Sequence, residues 1–177
     1  MFKITDISNT HKNFIFMKHK FAKYCFHNGV LSELPQVDEC FFIESCKSFN
    51  AFSFILLIIK EKKHIDELYL ATYSINAQFI NQLQKLLLKN QIGNIHIIIT
   101  DSIKKRMPKI YEHLTAIAKM NESFKVELKW SHKKVICAKV KNDFYVVEGS
   151  GNLSDNSAIE QYLFTNNKQL YEFRRNI

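Results

Sequence analysis

Glycine and proline are scarce in this sequence, at four and two among 177 residues. Collagen-like repeats and low-complexity disorder both require far more of them, so those classes are excluded at once. Cysteine is equally thin: Cys25, Cys40, Cys46 and Cys137 form no CxxC pair and no regular framework. A chain of this length folds without staples, so the pattern indicates a reducing cytosol rather than a disulfide scaffold. Cys25 with His27, followed by Cys40 and Cys46, can be drawn as a zinc site, but the spacing fits no ligand knuckle, and buried or incidental thiols are the better reading. Long apolar runs are missing too. The longest, Phe52 to Ile59, is too short to cross a bilayer. The N-terminal MFKITDISNTHKNFIF has no uninterrupted apolar core followed by a small-residue cleavage site. The expectation is a soluble, cytoplasmic protein with no stable membrane association.

What is abundant is apolar and positive. Hydrophobic residues make up 46% of the chain, with 15 Phe and 7 Tyr, enough to build the core of one domain. Lys and Arg number 25 against 17 Asp and Glu, a formal charge of +8. That balance favours a polyanionic partner, nucleic acid first (DNA above all) and an anionic membrane surface second. Residues 1–36 interleave Lys12, Phe14, Phe16, Lys18, Lys20, Phe21, Lys23 and Tyr24 and end near Pro35; they read as a basic, aromatic arm preceding a domain over 37–177.

Within that domain the period of the apolar residues alternates. Cys40 to Ile43 reads as a strand, and Phe49 to Lys62 as a helix ending in a charge run. Leu68 to Ser74 reads as a buried strand, and Asn76 as the N-cap of a helix carrying Phe79, Ile80, Leu83, Leu86 and Leu87, with Gly93 closing that stretch. Ile95 to Thr100 is a β-branched run suited to a strand covered on both faces, His96 being a satisfied core residue within it. After Lys104-Lys105-Arg106, whose cations could receive a nucleic-acid backbone, comes a helix through Ile110, Leu114, Ile117 and Ala118. Strands follow over Phe124 to Trp130, Lys134 to Val140, Phe144 to Val147 and Ile159 to Phe164, with a hairpin turn at Lys141-Asn142-Asp143 and a terminal helix. This order predicts an α/β layered fold with a mixed sheet. No GxGxxG follows the first strand and no GxxxxGK(S/T) occurs, so neither a dinucleotide fold nor a P-loop is supported.

The chemistry concentrates in Ser131-His132-Lys133-Lys134 and, one hairpin later, Glu148-Gly149-Ser150-Gly151-Asn152. On a strand, His132 and Lys134 would project from one face. Lys134 supplies fixed positive charge for phosphate oxygens, Ser150 and Asn152 supply neutral donors, and Gly149 and Gly151 let the backbone approach an anion without a Cβ in the way. His132 can attack phosphorus when one ring nitrogen is unprotonated and the other is held, for which Glu160 is the candidate acceptor. Tyr73 and Ser74, at the end of a predicted strand, are placed to line the same pocket.

H-x-K followed by G-S-x-N, on adjacent strands near the C-terminal end of an α/β chain, resembles the HKD motif of the phospholipase D superfamily. LYLATYS, the helix from Asn76 and IHIIITD are similar in order and spacing to the core of small bacterial nucleases of that superfamily, and the resemblance spans roughly 39–170. It implies an α/β/α sandwich with a central mixed sheet and phosphodiester chemistry without a metal or other cofactor. One His forms a phosphohistidine and a second His, from another copy of the motif, protonates the leaving group. Carried over by position, the catalytic set is His132, Lys134, Asn152 and Glu160, with Ser150, Gly149 and Gly151 around the phosphate. With one motif in the chain, a complete site requires a homodimer. The usual Asp, five residues after the Lys, is replaced by Lys139, and Asp143 lies in the turn. In the branch resembling tyrosyl-DNA phosphodiesterases that Asp is also absent. The expected function is a phosphodiesterase of nuclease type. The alternative is a degenerate domain of the same fold that binds DNA or another phosphate-bearing partner, and a lipid phosphodiesterase is weaker because no membrane-docking amphipathic segment stands out.

Overall fold

The computed structural model describes residues 33–45, 50–154 and 159–176 and a strand at 22–24, the latter and residue 45 through their backbone. Most of the expected arm lies outside the described residues, as do Cys25, His27 and Cys46. Eight strands form one sheet: β1 (Ala22–Tyr24), β2 (Cys40–Ser45), β3 (Ile65–Thr72), β4 (Ile92–Ile99), β5 (Phe124–Leu128), β6 (Val135–Val140), β7 (Asp143–Gly149) and β8 (Gln161–Asn166). Their order is β1-β2-β8-β7-β6-β3-β4-β5. β3, β4 and β5 run parallel, while β6, β7, β8 and β2 alternate antiparallel, so the sheet is mixed. β1, within the span expected as an arm, pairs with β2 in parallel and is a strand of the same sheet.

Side-chain alternation sorts each strand between two cores. Leu68 and Leu70, Ile97 and Ile99, Ile136 and Ala138, and Tyr145 and Val147 face the larger core. There they meet α1 (Phe52–Lys62), α2 (Ala77–Leu88) and α4 (Pro108–Met120), with Ile103 of the short α3 (Ile103–Arg106). Tyr69, Ala71, Ile98, Val135, Cys137 and Val146 face the smaller core under Tyr171 of α5 (Lys168–Arg175). The result is an α/β/α sandwich, with the run at Ile97 to Ile99 covered on both faces as its β-branched composition requires.

Local signals explain the boundaries. Asn50 Oδ1 accepts the Phe52 N–H at 2.9 Å, so α1 starts at Phe52, three residues later than the apolar pattern alone suggests. Asn76 caps α2 through the Phe79 N–H at 2.8 Å. Gly93 does not close that helix. Asn90 takes the left-handed turn at φ 53°, and Gly93 lies inside β4, where a Cβ would sit 2.7 Å from the Asp66 carbonyl. His96 is likewise not a core residue: it is part-exposed and its Nε2 pairs with Glu127 at 3.2 Å.

Candidate functional site

The topology brings four chain segments to one edge of the sheet. Because β6 and β8 run opposite to β3 and β7, the residues before β6 and β8 meet the residues after β3 and β7. This is the carboxyl edge of the parallel strands, where open α/β sheets place their ligands. The β6–β7 register pairs Val135 with Glu148, and Gly149 N donates to Lys134 O at 3.3 Å, so the HxK and GSxN segments lie side by side. Beyond β7, Leu153 bridges Ile75, and its N–H donates to Thr72 Oγ1 at 3.3 Å, which ties the segment carrying Gly151 and Asn152 to the end of β3.

His132 and Lys134 are not on a strand. β6 begins at Val135, and residues 131–134 form its approach, shaped by a turn in which Lys133 N donates to Ser131 Oγ at 3.2 Å. The two side chains still converge, by another route: Lys134 Nζ folds back to donate to His132 O at 3.1 Å and lies 3.1 Å from His132 Nδ1. An ammonium only donates, so Nδ1 is the accepting nitrogen here. Burial holds Lys134 below the ordinary lysine range, and the Glu160 carboxylate opposes that shift.

Ser150 and Glu160 pair with each other. Ser150 Oγ donates to Glu160 Oε2 in a short hydrogen bond and accepts from Gln161 N at 3.1 Å, while Ser150 N donates to Gln161 O at 3.0 Å. Glu160 stands one residue before β8, hydrogen-bonded to Ser150 and near enough to Lys134 to act on its charge. The hydrogen-bond and ring partners of His132 among the described residues are Lys134 and Tyr73. Asn152 Oδ1 is buried without a hydrogen-bond partner. Gly149 is required by close approach rather than by a left-handed backbone, since a Cβ there would overlap Gln161 O and sit 2.7 Å from Tyr162 Cδ1. Gly151 is buried beside it.

The Tyr73 ring lies 4.6 Å from the His132 ring, centroid to centroid. Beside the imidazole a groove of about 710 Å³ runs over Lys134, Glu148, Gln161 and Arg174, with Phe42 and Leu163 also lining it. Arg174, from the terminal helix, closes on Glu148 at 2.6 Å, with Nη2 donating to Oε1 at 3.0 Å. Sequence reasoning left Glu148 without a role and missed Arg174, because nothing local links two residues 26 apart; only the packing of α5 on β7 does.

Burial pushes the Cys137 thiol up to about 12 and that of Cys40 up to about 11, so neither is a thiolate at neutral pH. No group of three His, Cys, Asp or Glu among the described residues could hold a metal ion. Lys139 stands five residues along β6 from Lys134, about 17 Å away, and pairs with Glu67 at 2.9 Å. The replaced Asp position is thus remote from the site.

No protein-family model matches the sequence, and no curated protein matches it. Among solved structures the chain resembles NucT from Helicobacter pylori, with a TM-score of 0.51 and 18% identity over 76% of this chain and 91% of that one. It also resembles phosphatidylserine synthase from Haemophilus influenzae Rd KW20, with a TM-score of 0.48 and 10% identity over 77% of this chain and 36% of that one. At these identities the likeness to NucT is one of fold, and that fold is the phospholipase D-like α/β/α sandwich.

Proposed function

We propose that this protein is a phosphodiesterase that cleaves nucleic acid without a metal, DNA being the favoured substrate. The observation that carries the reading is the meeting of His132 and Lys134, 3.1 Å apart, with the Gly149–Asn152 segment at the carboxyl edge of a phospholipase D-like sheet. The fold is shared with NucT. The +8 charge adds electrostatic steering. Lys104 and Lys105 of α3 and Trp130, 85% exposed two residues before His132, supply cations for phosphates and a face for a base.

In the reaction Lys134 Nζ leaves His132, and the Ser150 hydroxyl leaves Glu160, for the non-bridging oxygens of the phosphodiester, where Asn152 joins them. The His132 imidazole attacks phosphorus, forming a P–N bond as the P–O bond to the leaving group breaks. The departing oxygen takes its proton from the His132 imidazole of a second copy. Water then attacks phosphorus, gives its proton to that same imidazole and releases His132. Each chain carries one such His, so the active unit is a homodimer.

The test is cleavage of DNA and of bis(p-nitrophenyl) phosphate in EDTA, with light scattering for mass. Wild type cleaves as a dimer, and His132→Ala loses about 10³-fold or more. A metal requirement, activity surviving in His132→Ala, or an exclusively monomeric active species overturns the reading. DNA binding without any cleavage, unchanged by His132→Ala, establishes the non-catalytic alternative instead.

A further inference from the structure

His132 is exposed and sits on a loop, so the protein must fix its imidazole by contacts rather than by burial. In the free site Lys134 does this, through the carbonyl and Nδ1 of His132. The same ammonium is needed on the phosphate, and its three protons cannot serve both sets of acceptors at full strength. When Lys134 turns to substrate, the imidazole loses its polar tether at the moment its direction matters most. The ring contact that remains is Tyr73, at 4.6 Å and tilted by 43°.

Tyr73 is itself held. It is the first residue beyond β3 and is half-buried. The Arg106 guanidinium lies over its ring, Cζ 4.2 Å from the centroid, and Arg106 Nη2 donates to the Tyr73 carbonyl at 3.1 Å. Arg106 is in turn anchored to the residue that precedes its own helix, Nε donating to Ser102 Oγ at 3.1 Å. A cation over an aromatic face that also bonds the backbone beneath it fixes ring and strand end together.

We infer that Tyr73 is a positioning residue for His132, and that Arg106 is the clamp that holds Tyr73 in place. The inference rests on the phosphodiesterase reading for its kinetic arm and on geometry alone for its spectroscopic arm. It separates two roles that a basic residue beside the site would otherwise confuse. Arg106 acts through Tyr73 on the nucleophile, whereas Lys104 and Lys105, its neighbours on α3, are free of this duty.

Four variants of the full chain test it: Tyr73→Phe, Tyr73→Leu, Arg106→Ala and Lys105→Ala, each checked for an unchanged melting transition. Turnover of bis(p-nitrophenyl) phosphate is measured in EDTA, and the His132 ring protons are followed by NMR, assigned through His132→Ala. Tyr73→Leu is expected to lower kcat about 10- to 100-fold, the order of loss for a misaimed reacting group, with KM within about twofold. Tyr73→Phe keeps the ring and stays close to wild type; Arg106→Ala falls between, and Lys105→Ala leaves the His132 ring protons where they are in wild type. The His132 ring protons, shifted by the Tyr73 ring current in wild type, move toward their free-histidine positions in Tyr73→Leu and stay in place in Tyr73→Phe. An unchanged kcat in Tyr73→Leu, or a loss confined to KM, overturns the inference, the second outcome making Tyr73 a substrate contact. His132 signals that ignore Tyr73→Leu overturn it as well. A wild type that cleaves nothing refutes the phosphodiesterase reading, while the NMR arm still decides whether Tyr73 orients the imidazole.

Discussion

Gly149→Ala is the substitution whose outcome the geometry fixes most tightly. Gly149 ends β7 where it pairs with Tyr162 of β8. The added methyl would overlap the Gln161 carbonyl oxygen and come within 2.7 Å of Tyr162 Cδ1 and 3.1 Å of Gln161 C, against 3.4 Å or more for ordinary contact. Neither obstacle can step aside. The oxygen is backbone that already accepts the Ser150 N–H at 3.0 Å, and Tyr162 is 4% exposed in the larger core. Relief must come from spreading the two strands, so the cost belongs at or above the upper end for overpacking, about 3 kcal/mol. For a chain of this size that lowers the melting midpoint by roughly 6–12 °C. The same spreading breaks the Ser150–Gln161 bond and draws Ser150 from Glu160, so phosphate binding suffers beyond the loss of stability. Gly93→Ala is the control. Its Cβ meets the Asp66 carbonyl at 2.7 Å, remote from His132, so it lowers the melting midpoint and leaves turnover per folded molecule intact. Calorimetry and turnover on both variants decide the matter. A Gly149→Ala protein melting within about 2 °C of wild type, or losing no more activity than Gly93→Ala, refutes the reasoning.

Two further outcomes follow from the charges. Turnover should fall on the alkaline side as Lys134 deprotonates, at a pH below the ordinary lysine value of 10.5; Glu160→Gln removes the carboxylate that opposes this lowering, so the limb of the pH–rate profile moves to still lower pH, and a limb that stays or rises contradicts the assignment. Lys139→Asp introduces the carboxylate usual in the motif the sequence resembles but sets it across the strands from Glu67, which loses Lys139 and keeps Arg175 at 2.7 Å; thermal melts should show a loss of about 1 kcal/mol, and assays no gain in turnover.

The parts of this structure legible in the sequence are those that depend on near neighbours. Asn76 announces its helix because its acceptor lies three residues from the N–H it satisfies. The run at Ile97 to Ile99 announces burial on both faces by composition, and Lys141-Asn142 announces a turn, with Lys141 at φ 52°. Gly93 misled because a glycine after a helix resembles a cap, while the left-handed residue was the asparagine three positions earlier. Lys134 misled for a related reason: strand-like neighbours follow it, but the Ser131 turn holds the chain out of the ladder until Val135. Tyr73 against His132, Arg174 on Glu148 and Glu67 with Lys139 are separated by 59, 26 and 72 residues. Strand order creates the first and third of those pairs and the packing of α5 on β7 the second, and no local pattern encodes either.

That strand order also governs when the site comes into being. β2 is hydrogen-bonded to β8, Cys40 opposite Thr165, so the sheet closes between segments some 120 residues apart. Contacts of such long range make a chain slow to fold, because the entropy of closing the loop is lost before any pairing repays it. On the ribosome the consequence is temporal. His132 and Lys134 are synthesised well before Glu160, Gln161 and the strand that follows them, and β8 must emerge before Ser150 has its partners. His132 therefore exists as a residue before the pocket around it does, and β8 is the strand that gives Ser150 its partners there.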